Sequence, residues 1–459
     1  MNPAPEKTGR PEKPERRIPA VSSVFNDGSI LETVYQPQEK RSAFVLWKDG
    51  KCTMQSSFQF TPTHRLVPYS PHNNLIKNDV VLLPSEPEEY GSEADLLAEI
   101  QSFIHRYVDV SPLFEQIATY YVLLTWVYDR FNELPYLRLR GDPGSGKTRF
   151  LLTVGSLCYK PIFASGASTV SPIFRILDAF RGTLIIDEGD FRLSDERAEI
   201  VKILNNGNAK GFPVLRSEAS KNKEFNPRAY TVFGPKIVAT RGFFEDKALE
   251  SRCLTEAMGH TGLRDDVPIN LPPEHKEEAL HLRNKLLLLR FHKLGRAGVR
   301  EDLVDRSIEP RLNQIFVPLL SIIDDAQARE ALMELARKYN RELIADRGME
   351  TEAQILDIIR DMMADPFERQ LSVKQVASWF IDRHGADYKR TITTKWIGTI
   401  IRKKLGLQSI RTREGYFIPD SEKPKFERLF ERYGINPKKE DEQPGRDVLD
   451  PDFAIQPTA

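Results

Sequence analysis

The stretch Gly141-Asp142-Pro143-Gly144-Ser145-Gly146-Lys147-Thr148 sets three glycines, a lysine and a threonine at the spacing of a polyphosphate cradle. Glycine reaches backbone angles that other residues resist, so successive N–H groups can turn inward around an anion. Lys147 brings a positive charge to the β- and γ-phosphates, and Thr148 offers a hydroxyl ligand to Mg²⁺. The chemistry is that of ATP bound with Mg²⁺. Such a loop works only between a strand that delivers it and a helix whose N-terminus faces the anion. Leu137-Arg138-Leu139-Arg140 reads as that strand, and Thr148 to Leu157 as that helix.

A second chemical signal lies at Thr183-Leu184-Ile185-Ile186-Asp187-Glu188, an apolar, β-branched run that ends in two acids. A buried strand of this kind carries Asp187 to the Mg²⁺ shell and lets Glu188 polarise an attacking water. The bland alternative is an acid pair that merely ends a surface strand. The interval back to Lys147 leaves room for a helix, a strand and another helix, so the two segments can meet at the carboxyl ends of a parallel sheet. A third strand is expected at Lys236-Ile237-Val238-Ala239-Thr240. Thr240 at its end suits a sensor of the γ-phosphate or the attacking water. It equally suits a cap on the next turn.

The chain has 459 residues, which implies two or three domains. Charged residues make up 29% and hydrophobic ones 40%, an ordinary globular composition, and the net charge is zero. No global field attracts nucleic acid, so any such binding must come from local patches. Cys52, Cys158 and Cys253 have no metal-ligand spacing and suggest no disulfide framework, which fits a cytoplasmic protein and three small buried side chains. No apolar leader and no membrane-length apolar run is present, so no membrane partner is expected.

In order, residues 1–40 are rich in proline and charge and are expected to be a disordered tail. Residues 41–110 read as a small region with a hairpin, Ala43 to Trp47 and Cys52 to Phe60 around the turn Asp49-Gly50, followed by helix. A capping box at Ser92-Glu93-Ala94-Asp95 opens a helix over about 93–109. A second, aromatic-rich helix runs over about 112–131, and together they form a helical collar before the ATPase. Tyr120, Tyr121, Trp126 and Tyr128 are expected in the core.

Taken together, Gly141–Thr148, Thr183–Glu188, Ile203-Leu204-Asn205-Asn206-Gly207, Val214-Leu215-Arg216, Phe233-Gly234-Pro235-Lys236-Ile237-Val238-Ala239-Thr240 and Leu249-Glu250-Ser251-Arg252 carry a resemblance. The chain resembles AAA+-type P-loop ATPases of phages and mobile elements, which are similar to superfamily III and, more distantly, minichromosome-maintenance helicases. The resemblance spans roughly 110 to 330. It implies an ATP-driven ring, hexamer favoured, that acts on DNA. It implies an arginine that completes a neighbour's site, a role for which Arg252 is the candidate, since a guanidinium stays charged and grips phosphate oxygens in pairs. A plain surface arginine is the alternative. It implies a channel-facing hairpin at Asn208 to Gly234, where Lys210, Arg216, Lys221, Lys223 and Arg228 alternate with Phe212, Phe225 and Tyr230. Basic side chains can track phosphates while aromatics stack on bases, Lys221 and Lys223 being the best contacts. The same aromatics could instead pack on the ATPase core. The 111–345 ATPase would close with a helical lid, where Arg311 is a candidate second sensor on the nucleotide or a partner of Glu309 or Asp305.

Residues 350–436 change character. Helices over about 351–364, 372–383 and 391–405, then short strands at Ser409–Arg413 and Gly415–Ile418, give a winged-helix pattern. The third helix would bury Ile397, Ile400, Ile401 and Leu405. It would show Lys395, Thr399, Arg402 and Lys403 to DNA, with Arg411 and Arg413 on the wing near phosphates. Winged helices also serve as protein-interaction modules. Residues 437–459 read as a second disordered tail. The expected whole is an α/β P-loop ATPase with a parallel-sheet core, an N-terminal helical collar and a C-terminal winged helix. Its function would be DNA helicase or translocase, with an ATP-dependent DNA-bound switch as the rival.

Overall fold

The structure is a computed structural model. It describes residues 15–187, 195–217, 227–244, 246–259, 263–348, 350–365, 370–388, 391–413 and 415–435. The chain divides into two compact units, Met1–Ala336 and Arg337–Ala459.

Strands begin far earlier than the composition suggests. β1 (Arg16–Ala20), β2 (Ser22–Val24), β3 (Ile30–Gln36), β4 (Arg41–Lys48), β5 (Lys51–Gln55), β6 (Phe58–Thr61) and β7 (His64–Pro68) form two sheets, ordered β2-β3-β4-β5 and β1-β7-β6. The expected tail over 1–40 is therefore corrected for its described part, 15–40. The Ile30-Leu31-Glu32-Thr33-Val34 run buries on both faces, and Pro19 sits in the edge strand β1, where its missing N–H is harmless. The β4–β5 hairpin turns at Asp49 and Gly50, both with positive φ (49° and 75°), as a type I′ turn requires.

A short α1 (Asn74–Lys77) leads to α2 (Glu93–Tyr107) and α3 (Pro112–Val127). The Ser92–Asp95 capping box closes in both directions. α3 does not stand in front of the ATPase as a collar. It is buried along nearly its whole length, packs on α4 and α8, and ties Trp126 Nε1 to the Leu157 carbonyl at 2.9 Å. Its aromatics are core because every face of the helix is covered.

The central sheet then alternates with helices: β8 (Tyr136–Arg140), α4 (Lys147–Leu157), β9 (Ile162–Ser165), α5 (Val170–Phe180), β10 (Leu184–Asp187) and α6 (Asp195–Asn206). A two-stranded hairpin, β11 (Val214–Arg216) with β12 (Arg228–Tyr230), precedes β13 (Lys236–Thr240), α7 (Lys247–Glu250) and β14 (Cys253–Ala257). The five-stranded sheet is parallel throughout, in the order β14-β8-β13-β10-β9. β10 and β13 are largely apolar because helices cover both faces, whereas β8 alternates leucine with arginine and pairs its buried Arg138 with Glu250. α8 (Glu274–Lys293), α9 (Pro310–Leu320) and α10 (Ala326–Gly348) come next, the last running across the boundary between units.

A buried charge cluster binds the N-terminal sheet to this core. Glu32 of β3 accepts from Lys160 Nζ at 2.9 Å, Arg290 Nε at 2.8 Å and the Tyr159 hydroxyl at 2.8 Å. Arg290 also pairs with Asp129 at 2.8 Å. Burial pulls Lys160 down to about 8 even with Glu32 beside it. Removing one member would strand the others, so the N-terminal strands are an integral part of the first unit.

The second unit begins with α11 (Thr351–Ala364), β15 (Leu371–Ser372), α12 (Val373–His384) and α13 (Thr394–Lys403). It ends with β16 (Ile410–Arg411), β17 (Tyr416–Ile418) and α14 (Lys423–Tyr433). Its three short strands form an antiparallel sheet in the order β15-β17-β16. One core, built on Ile355, Ile359, Val376, Phe380, Ile397 and Ile401, holds the helices together. β15 and α14 have no counterpart in the sequence expectation: one is two residues long, and the other is strongly charged on its outer face.

Candidate nucleotide site

The chain leaves β8 at Arg140 and enters the loop through Gly141, whose N–H donates to the Thr240 carbonyl at 3.2 Å. A side chain at Gly141 would put its Cβ 2.6 Å from the Met258 carbonyl and 2.8 Å from Ser145 Oγ, so only glycine fits there. Gly144 and Gly146 have φ of 82° and 91°, and Gly146 is the left-handed cap from which α4 starts. Asp142 and Pro143 are exposed on the loop's crest. Lys147 curls back, its ammonium donating to the carbonyls of Gly141 at 2.6 Å and Asp142 at 2.7 Å and reaching Ser145 Oγ at 3.3 Å.

β10 lies two strands from β8, with β13 between them, so its end opens beside the loop. There Thr148 Oγ1 donates to Asp187 Oδ2 at 2.7 Å. Pro143, Gly144, Gly146, Lys147, Thr148, Arg149, Asp187, Ala239, Thr240 and Arg241 line one cavity of about 350 Å³. A hydroxyl and a carboxylate held this close form a hard-oxygen pair suited to Mg²⁺, and the glycine cradle leaves the anion side clear of Cβ atoms. The donor set therefore fits Mg²⁺ with a polyphosphate. Among the described residues there is no cluster of three or more His, Cys, Asp or Glu placed to hold a metal.

Thr240 reaches this cavity, yet its hydroxyl donates to the Gly242 carbonyl at 3.0 Å, the turn-capping arrangement. Arg241, which composition and spacing did not single out, lines the cavity directly after it. Glu188 lies outside the described residues.

Arg252 and Arg311 do not join this site. Tyr136, the first residue of β8, donates its N–H to the Arg252 carbonyl at 2.9 Å, so Arg252 sits at the opposite end of the strand from Gly141. That is about 16 Å away at the rise of an extended chain. Its guanidinium is buried and donates to Asn208 Oδ1 at 2.8 Å, Asn205 Oδ1 at 2.7 Å and the Ala248 carbonyl. Burial, and then the nearby Arg311 charge, hold it below the ordinary arginine value. Arg311 lies by Arg252, donates to Gln314 Oε1 at 2.9 Å, and is absent from the cavity lining. Neither arginine lines the cavity of its own chain, and the polar groups around the Arg252 guanidinium belong to the foot of the sheet.

The same foot explains two segments that carried the resemblance. Lys236 is fully buried, and its ammonium donates to the carbonyls of Gly207 (3.1 Å), Val232 (3.0 Å) and Gly234 (2.9 Å). Burial pulls it down to about 7. Gly207 is glycine because a Cβ there would meet the Val232 carbonyl at 2.6 Å as well as the Lys236 ammonium. Asn205 also donates to Asp246 Oδ2 at 2.5 Å. The two segments lock α6, α7 and β13 together.

Of the hairpin residues, Lys221, Lys223 and Phe225 lie outside the described residues. Lys210 is exposed and donates to the Asp129 carbonyl at 2.7 Å. Arg216 pairs with Glu199 at 2.8 Å, and Arg228 lies 3.9 Å from Asp178. Tyr230 is core, whereas Phe212 and Leu215 are exposed at 67% and 62%. In the second unit Lys395, Arg402, Lys403, Arg411 and Arg413 are all exposed, and Ile397, Ile400, Ile401 and Leu405 are buried. Of the three cysteines only Cys158 and Cys253 are buried, and Cys52 is exposed on β5. Among the described residues no helix is long and apolar enough to cross a membrane.

No family model and no curated protein matches the chain. Solved structures resemble it loosely. The apo C-terminal region of NrS-1 is 11% identical over 84% of this chain and 95% of that one, with a TM-score of 0.35. A full-length MCM homolog from Methanopyrus kandleri is 12% identical over 68% and 78%, TM-score 0.35. JCV helicase is 12% identical over 55% and 62%, TM-score 0.24.

Proposed function

We propose that the protein is an ATP-hydrolysing DNA helicase or translocase of the AAA+ type, working as a ring for which six subunits are favoured. The observation that supports it most is the convergence of Lys147 and Thr148, at the start of α4, with Asp187, at the end of β10, on one cavity at the carboxyl end of a parallel sheet. Lys147 would exchange its loop carbonyls for phosphate oxygens, a cation that needs only a small movement to reach its ligand. Thr148 and Asp187 would hold Mg²⁺. The metal would neutralise charge on the β- and γ-phosphate oxygens. Glu188, next in sequence to Asp187, would take the proton of the attacking water, and Thr240 would orient that water by giving up its turn contact.

The DNA reading rests on two basic elements. The hairpin with Lys221 and Lys223 would face the strand being moved. The second unit, read as a winged helix from the order α11-β15-α12-α13-β16-β17 that precedes α14, would lay α13 on DNA. Measuring ATP hydrolysis with and without DNA, beside strand displacement on tailed duplexes, tests the proposal. Wild type should hydrolyse faster with DNA and separate strands, and Lys147→Ala should do neither. Hydrolysis indifferent to DNA, with no displacement of either tail polarity, would leave a DNA-bound switch as the better description.

A further inference from the structure

We propose that Tyr416, with Arg402 and Arg411 around it, is a stacking site for an unpaired DNA base where single strand meets duplex. The inference rests on the reading of the second unit as a DNA-binding module.

Tyr416 opens β17 and is 45% exposed. It takes no part in the core of its unit, which closes over Ile418 two residues on. Its partner across the ladder is Arg411 of β16, so both side chains leave the same face of the sheet. Arg402, in the last turn of α13, sets its guanidinium carbon 5.7 Å from the centre of the ring and donates to Ser409 Oγ at 3.3 Å. An aromatic ring thus lies between a helix and a strand, with a guanidinium from each.

The surroundings select the ligand. From Thr391 to Arg413 the chain carries Lys395, Arg402, Lys403, Lys404, Arg411 and Arg413 and no Asp or Glu. Such a surface complements a phosphate backbone, and phosphate alone would need no ring. A ring adds affinity for a base plane. Inside a duplex both faces of every base are already stacked, so the ring can meet only a base freed from pairing. The lysines of α13 meanwhile supply contacts to the adjoining backbone. Specificity for base identity is not expected, because every base offers a π-face.

The test uses the full chain and two DNA probes, a blunt duplex and the same duplex with a short tail. The first unpaired base of the tail is 2-aminopurine, whose emission falls when it stacks. Wild type should quench the probe. Tyr416→Ala should abolish the quench and weaken binding of the tailed duplex by roughly 5-fold to 150-fold, the range for one lost base stack. It should leave the blunt duplex within about 2-fold, a change too small to count as a stack. Tyr416→Phe should behave as wild type. A quench that survives Tyr416→Ala, or an equal loss on both duplexes, overturns the stacking site. The combined Lys395→Ala and Lys403→Ala change separates this from failure of the underlying reading. If it weakens both duplexes while Tyr416→Ala is silent, only the stacking site falls. If it too is silent, the second unit does not bind DNA and both readings fall.

Discussion

Arg252→Ala would remove a buried guanidinium that reaches Asn208 Oδ1 at 2.8 Å, Asn205 Oδ1 at 2.7 Å and the Ala248 carbonyl. Each hydrogen bond to a charged group contributes roughly 1.5–3 kcal/mol, and the three are not additive. Losing the guanidinium leaves neutral buried acceptors short of a donor, at about 1–3 kcal/mol each. Arg252 sits beside another arginine, which offsets part of the gain, so we expect about 3 kcal/mol. In a unit that runs to residue 336 that corresponds to a melting temperature lower by about 4 °C. Calorimetry on the variant reads this directly, and hydrolysis per folded subunit should be largely retained well below the transition. An arginine that completes a neighbour's site behaves in the opposite way. The variant would melt like wild type and lose turnover. Mixing it with Lys147→Ala subunits, which carry an intact Arg252, would then restore activity. That pair of results would refute the structural assignment and return Arg252 to the subunit boundary.

Other substitutions probe the remaining assignments. Glu188→Gln should keep ATP binding, measured by titration with a fluorescent ATP analogue, and lose turnover by about 10²-fold or more; normal turnover would remove Glu188 as the base. Lys221→Ala combined with Lys223→Ala should reduce the stimulation of hydrolysis by DNA while the DNA-free rate stays put, and an unchanged stimulation would discard the hairpin contacts. Gly207→Ala should destabilise the first unit by about 1–3 kcal/mol in chemical denaturation, because its Cβ has no room between the Val232 carbonyl and the Lys236 ammonium. His275 is buried against Phe103 and Tyr107, and burial depresses it to about 4. Its neutral form is the folded one, so the contribution is complete above pH 6.5 and is lost as pH falls toward 4. Allowing for partial screening, about 2 kcal/mol should disappear across that window and be recovered in His275→Phe. Melting curves from pH 7 to 4.5 that are parallel for the two proteins would contradict it.

Residues that act through backbone shape were legible in the sequence, and those that act through partners were not. Gly141, Gly144 and Gly146 announce the loop because their conformations exclude other residues. The strand before them alternates leucine with arginine, β10 is an apolar run closed by Asp187, and the interval from Lys147 to Asp187 holds the helix, strand and helix it was expected to hold. The helices of the second unit fall within three residues of their expected bounds because their buried faces repeat at helical spacing. Glu32, Lys160 and Arg290 gave no sign of lying in one buried cluster, since nothing in a charged residue's neighbours along the chain tells whether a counter-ion will be folded against it. Arg241 failed to stand out for the same reason, being one arginine after a strand until the sheet order brings it to the cavity.

Arg252 shows why position along the chain is no substitute for position in space. A parallel sheet has two ends with different duties. The carboxyl end collects loops that can move, and Lys147, Thr148, Asp187 and Thr240 all gather there. The amino end must stop the helices that return to it, and there the protein places buried polar groups: Lys236 on three carbonyls, Arg252 on two asparagines, the Tyr136 hydroxyl on the Leu204 carbonyl at 2.7 Å. Leu204-Asn205-Asn206-Gly207 and Phe233-Gly234-Pro235-Lys236 belong to that end. They have specific residues because a buried ammonium or guanidinium is tolerated only where each donor finds an acceptor. β13 runs from this lock toward the cavity, and Glu250 of α7 binds Arg138 in β8 while accepting the Phe244 N–H at 3.0 Å just beyond Thr240. A rigid foot of this kind keeps the end of β13 in register with the loop, so that a change of ligand at Lys147 is met by a fixed Thr240 instead of being absorbed by a sliding strand.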